Sequence, residues 1–299
     1  MSYLSTDKGG VESNADTVYA KQSAYWLQKL AGISDALALP TDRPRQAVSS
    51  LASGQIEFRI DAMQHDQLIK FAKLHGATLF TVVHAALAML LARLSGTADI
   101  TIGTSVADHG RTDPDDSIGI LANKVALRTR FNYGESFKDL LMRQHETALQ
   151  AFAHADIPFA RLVEELAPTK STAYHPLFQV MLTIQDTPTP PLKLTGMQVD
   201  TMTPGAMTAQ LDLDFKLVEA FHGDRPGGLE GLLAYAAELF DETTIKELAR
   251  RLVRVLEAVV GDPEVRLCRL DVLDEVERRR VLEVWNDTTV SLPDVTVPD

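Results

Sequence analysis

Apolar positions in this chain recur with two periods, and the switching between them divides it into strands and helices. "GQIEFRI" (54–60) and "AQLDLDFKLVE" (209–219) alternate apolar with polar, which predicts strands with one buried and one wet face. "DITIGTSV" (99–106), residues 118–130 and residues 177–185 are apolar runs of strand length, predicted to be buried. Elsewhere the spacing is helical. A helix is predicted from about Ala15 to Leu30, with Asn14 as cap and Gly32 as stop. Asp61 caps a second helix that runs to His75 and ends at Gly76. Thr78 caps a third, apolar on every side and ending near Gly96, which reads as a core helix. Glu135–Ala153 places Phe137, Leu140, Leu141, Ala148 and Phe152 at helical spacing. Pro158 suits the first residue of a short helix, where its missing N–H costs nothing. Residues 242–260 carry Ile245, Leu248, Leu252, Val255, Leu256 and Val259 on one stripe, and Pro263 marks the end.

The segments between are loop material. Residues 107–116 are rich in Gly, Pro and acid, and 186–196 are too Pro-rich for a central strand. Residues 222–228 are a turn between two strands, and the glycines of "GGLEG" (227–231) are assigned to that hairpin turn. Residues 1–14 form a polar, disordered leader. From Leu270 the chain reads as linker plus one short helix, and 288–299 resemble the opening of a further domain. One domain thus spans 15–269. Helices and strands mix irregularly, so the expected fold is α/β: an open mixed sheet with helices packed on one side.

Composition narrows the function classes. The chain has 299 residues, 45% hydrophobic and 23% charged, values of an ordinary globular domain. A net charge of −12 argues against nucleic acid or an anionic membrane as partner. No run of about 18 apolar residues is present, and no signal peptide is visible. The single cysteine, Cys268, excludes an internal disulfide and a thiolate metal cluster. A cytoplasmic protein is the simplest expectation.

Three segments in fixed order carry a family resemblance: "IGILANKVALR" (118–128), "HADIPFARLVEEL" (154–166) and "HPLFQVMLTIQ" (175–185). Together they resemble landmarks of the condensation domains of nonribosomal peptide synthetases. "AKQSAYWLQKLAG" (20–32), "LALPTDRPR" (37–45) and residues 76–107 and 229–263 are similar to the rest of that domain's second lobe, and 270–288 to the junction with a following adenylation domain. The resemblance implies a fold like chloramphenicol acetyltransferase, in which two lobes form a V and substrates meet between them. In that family a doubled histidine followed by Asp-Gly lies in the first lobe, and this chain contains no such motif. Two departures concern the substrate channel. Leu121 and Ala122 replace the bulky aromatic-aliphatic pair before Asn123, and the third landmark opens "STAYHPLF" rather than on an Arg-Asp or Ser-Arg pair.

Amide formation from a thioester needs the amine held against the carbonyl and its proton removed, a task suited to histidine. The chain has eight histidines and none is doubled. His109 reads as a loop residue, His175 as a strand-entry residue, His84 as a satisfied core residue, and His65 and His75 as lying on a charged helix face or its end. No Ser nucleophile elbow, zinc spacing or phosphate-binding loop appears. "DPDD" (113–116) lacks the ordered spacing of a calcium loop. No catalytic, metal or cofactor-binding residue is therefore assigned. Four landmark residues remain: Asn123, His154, Asp156 and Pro158. The resemblance implies that Asn123 lies near the floor of the substrate tunnel; a buried Asn bonding a neighbouring segment explains it equally well. His154 is expected to cap or bond near Asp156.

The leading expectation is a truncated condensation-domain lobe, non-catalytic alone, with a structural or partner-recruiting role in antibiotic-type peptide biosynthesis. The alternative is the acceptor-side half of a split enzyme that forms amide bonds once a separate N-terminal lobe is present. Implied partners are an adjacent adenylation domain, a carrier protein bearing phosphopantetheine, an N-terminal lobe or an accessory protein. The face that a first lobe would cover should be polar, or should serve self-association or partner binding.

Overall fold

The computed structural model describes residues 9–107, 122–166, 171–185 and 209–288. The expected loops 107–116 and 186–196, strand residues 118–121 and His109 lie wholly or almost wholly outside them, as do 289–299. In chain order the elements are α1 (Gly9–Leu30), β1 (Ser53–Ile60), α2 (Ala62–Leu74), α3 (Leu79–Ser95), β2 (Asp99–Ala107), β3 (Ala122–Arg130), α4 (Phe137–Ala153), α5 (Phe159–Leu166), β4 (Val180–Gln185), β5 (Leu213–His222), β6 (Arg225–Ala236), α6 (Glu242–Gly261) and α7 (Glu275–Arg279).

The strands form one six-stranded mixed sheet in the order β1-β6-β5-β4-β2-β3. β5 is parallel to β4 and β4 to β2, while the remaining pairs are antiparallel. The pleat sends successive side chains to opposite faces. Ile56, Ile60, Leu229, Leu233, Leu213, Phe215, Leu217, Val180, Leu182, Ile100 and Ile102 share one face and are buried in one core with α2, α3, α4 and α6. The opposite face is half-exposed. The expected α/β fold with helices on one side is therefore the observed one, and α1 and α5 pack as a pair around the β3 end.

Local chemistry explains the helix ends. Asp61 accepts from the Gln64 N–H, and Thr78 from the Thr81 N–H, each satisfying an orphan donor of the first turn. Gly96 closes α3 at φ 69°, a conformation open to glycine. Every residue of α3 from Thr81 to Ala92 is buried, because sheet and helices enclose it on all sides. No single described helix is long and apolar enough to cross a membrane.

Several boundaries differ from expectation. α1 begins at Gly9, so Gly9–Asn14, assigned to a leader, are helical and Asn14 is not its cap. α4 is capped by Ser136, which forms a reciprocal capping box with Asp139 and so excludes Glu135 from the helix. Gly227 and Gly228 lie in β6 rather than in a turn. A Cβ on Gly228 would press on the Ile60 carbonyl, and its φ of 117° suits only glycine. Leu270 and Val272, placed at the start of a linker, are buried in the main core. Beyond them α7 is tied to α6 by Arg251–Glu277 (2.6 Å) and Arg254–Asp274 (3.3 Å).

His65 corrects another expectation. It does not lie on a charged outer face; it is fully buried beneath the sheet, with Nε2 2.9 Å from Glu219. Its Nδ1 accepts from the Gly228 N–H at 3.3 Å, so Nε2 carries the proton that it donates to Glu219. His84 is a core residue, as expected, but neither ring nitrogen has a partner. Burial pushes its imidazole down to about 3.

Two outcomes follow. An ideal Cβ on Gly103 would collide with the Phe178 ring, so Gly103→Ala should cost about 1–3 kcal/mol in urea unfolding. His84 stays neutral in the fold, while the unfolded chain protonates near 6.5. Stability should therefore fall as pH drops below about 6.5, by at most roughly 1.4 kcal/mol per pH unit, and level off near 3. His84→Leu should remove that part of the slope in unfolding series taken across this range.

Candidate functional site

The half-exposed face of the sheet is hollowed into a groove of about 1200 Å³. Alternation in β1, β6, β5 and β4 brings its lining together: Glu57 from β1, Glu230 from β6, Asp214 and Lys216 from β5 and Met181 from β4, with Lys124 contributed by β3. Between the charges lie Val218, Leu232 and Ala234, so apolar surface is framed by both signs of charge. Asp214 sits 3.4 Å from Lys216 through Oδ2, while its buried Oδ1 has no partner. Burial raises the Asp214 carboxyl above its ordinary range, opposed by Lys216 and Lys124. Among the described residues no histidine lines this groove.

Asn123, His154, Asp156 and Pro158 form a joint at the β3 end of the sheet. Asn123 Nδ2 donates to the carbonyls of Ala155 (2.8 Å) and Ile157 (2.6 Å). Its Oδ1 accepts from the backbone N–H groups of Lys124 (3.0 Å) and Phe159 (3.1 Å). One amide thereby fixes the 155–159 segment against β3 with its capacity filled. His154 caps α4, donates from Nδ1 to the Gln150 carbonyl, and stacks on Tyr25 with ring centres 4.0 Å apart. Its carbonyl accepts from Trp26 Nε1 at 2.8 Å. Asp156 accepts from Gln22 at 2.6 Å. Pro158 immediately precedes α5, and its carbonyl accepts from the N–H groups of Arg161 and Leu162. Asn123 thus ties β3, and the Trp26 and Gln22 bonds tie α1, to the segment before α5, whose first turn the Pro158 carbonyl begins.

The other described histidines are also engaged or remote from the groove. His175 donates from Nδ1 to the Pro176 carbonyl at 2.8 Å and packs against Phe159 and Phe178. Burial, then the Lys124 charge, hold its imidazole below the usual range. His145 contacts Thr81 at 3.4 Å, His75 lies against Phe71, and His222 is exposed at the β5–β6 hairpin. Cys268 is an exposed free thiol in a short turn.

Sequence reasoning singled out the joint and missed the groove. The signal was the charged alternate positions Asp214 and Lys216 in the 209–219 pattern, but their neighbours across the sheet are distant in sequence. A smaller hollow beside the groove holds Arg45, whose guanidinium grips the buried Asp212 through both carboxylate oxygens. Asp212 is raised by burial, with Arg45 acting in the opposite direction.

Asn123→Ala would take this partner from two carbonyls and two N–H groups of the joint. It should cost about 2–3 kcal/mol in denaturant unfolding; a loss below about 0.5 kcal/mol would contradict this role.

The sequence profile of the family described as condensation domain matches residues 11–282. A probable non-canonical nonribosomal peptide synthetase, CymA of Salinispora arenicola, is 39% identical over 274 residues, 91% of this chain and 4% of the relative. A dimodular nonribosomal peptide synthase of Bacillus subtilis is 37% identical over 291 residues, 97% of this chain and 12% of the relative. The chain thus spans a small part of these relatives. Among solved structures, the X-domain from teicoplanin biosynthesis in its complex with OxyB is 37% identical, with a TM-score of 0.81 over 88% of this chain and 57% of that one. A four-domain nonribosomal peptide synthetase bound to AMP and glycine shares the fold at 22% identity, with a TM-score of 0.76 over 86% of this chain and 20% of that one. The landmarks, the one-sided mixed sheet and these matches agree: the chain belongs to the condensation-domain family.

Proposed function

We propose that this chain is a condensation-domain lobe of a nonribosomal peptide synthetase that is not catalytic alone and serves as a structural or recruiting surface. The observation that carries this reading is the combination of a broad groove with no described histidine in its lining. On this reading the lobe walls a channel and holds a partner, and the histidine suited to amide formation is supplied from elsewhere. The likeness to the X-domain solved with OxyB supports a recruiting role, since that relative was captured with a bound partner. Adjacent adenylation domains and phosphopantetheine-bearing carrier proteins are the partners this reading implies.

A second reading is the acceptor-side half of an enzyme, completed by a lobe carrying the doubled histidine. It is favoured by the chain's span of 57% and 59% of two solved X-domain chains, just over half of each. On this reading aminoacyl thioesters on carrier proteins are the substrates, and the groove supplies one wall of their meeting place.

The two readings share one experiment. The chain is mixed with a pair of aminoacylated carrier proteins, with and without a separately produced lobe bearing the doubled histidine. The first reading expects no amide product in either mixture, with binding of carrier or adenylation domain seen by calorimetry. The second expects product only when both lobes are present. Product from the chain alone would overturn both.

A further inference from the structure

We propose that the edge of β1 from Gly54 to Ile60, on which no other described strand lies, pairs with the same edge of a second copy of this chain, joining two sheets into one. The two ends of the sheet differ. At the β3 end, Arg128 donates to the carbonyls of Lys29 and Ala31 at the end of α1, and Asn123 holds the 155–159 segment. At the other end, β1 pairs with β6 alone among the described residues. It is eight residues long, and from Gly54 to Ile60 it has no proline, lysine or bulge, the devices that ordinarily block an edge.

The sequence of this edge is complementary to itself in one register. With a twofold axis through Phe58, Glu57 of one copy faces Arg59 of the second copy, and Arg59 faces Glu57. Both pairs lie on the half-exposed face. On the helix-covered face Ile56 and Ile60 are already buried within each copy, so the register rests on the charges. Opposite charges directly across an antiparallel ladder are favourable. A slip of two residues in either direction sets Glu57 against Glu57 or Arg59 against Arg59, and a slip of one breaks the pleat. Glu57 has no ion-pair partner among the described residues, and Arg59 spends its guanidinium on the Gly227 carbonyl at 3.2 Å. That bond uses one N–H of the guanidinium, and both side chains are exposed, so the remaining donors of Arg59 and the Glu57 carboxylate can face a second copy. Such a dimer would carry both grooves on the same side of one continuous sheet.

Sedimentation velocity over a dilution series, on the chain as it stands, tests this. The wild type should show a monomer–dimer equilibrium. Glu57→Arg and Arg59→Glu, each checked for native circular dichroism, should each raise the dissociation constant about tenfold or more. The double swap, Glu57→Arg with Arg59→Glu, should restore it. A wild type that stays monomeric throughout would overturn the proposal. A dimer equally tight in both single variants would also overturn it, because its interface would lie elsewhere.

Discussion

The fold depends on covering one sheet face and leaving the other half-wet. Each strand must therefore present a dry side and a compatible wet side, which its pleat allows at alternate positions. α3 shows how complete the dry side is: twelve consecutive buried residues, Thr81–Ala92, wrap its whole circumference. A helix apolar all round is stable only when enclosed, so α2, α4, α6 and the sheet must assemble with it together. The opposite face cannot be equally apolar without aggregating. It carries Glu57, Asp214, Lys216 and Glu230 around a thin apolar strip, the composition of a surface that water can wet and a partner can cover.

Polar groups buried by this arrangement fall into two kinds. Asn123, the Arg45–Asp212 pair and the His65–Glu219 pair each meet partners of matched geometry. Buried groups so matched fix one arrangement of segments, because any other leaves them unpaired. His84 is the other kind, a fully buried imidazole with neither nitrogen bonded. It tolerates burial only by staying neutral, which couples the stability of the core to acid in a way the paired groups do not.

What could be read from the sequence is what local chemistry decides. Asp61, Thr78, Gly76 and Gly96 mark helix ends because capping involves residues only a few positions apart. The alternation of 209–219 correctly announces one dry and one wet face. The burial of His65 could not be read, because it depends on Glu219 and Gly228, brought together by strand order. Gly228 was mistaken for a turn residue for the same reason: its glycine is required by the approach of Ile60 from β1. The groove was missed because each of its strands contributes only a few unremarkable polar residues. Their meaning appears only when β1, β6, β5 and β4 stand side by side.

The four landmark residues therefore belong to a joint at the β3 end of the sheet, and none of them lines the groove. Asn123, His154 and Asp156 are held by hydrogen bonds that join β3 and α1 to the segment before α5. Those bonds hold the fold together whether or not a reaction takes place on it. The groove differs in kind, because there Asp214 stands half-paired beside Lys216. A carboxyl raised by burial is a better hydrogen-bond donor and a poorer fixed charge than an exposed one. The groove's character thus depends on what lies over it: with water there, Asp214 is solvated and ionised more readily; beneath a dry partner surface, it is held closer to neutrality. Whatever covers this face accordingly changes its chemistry as well as its shape.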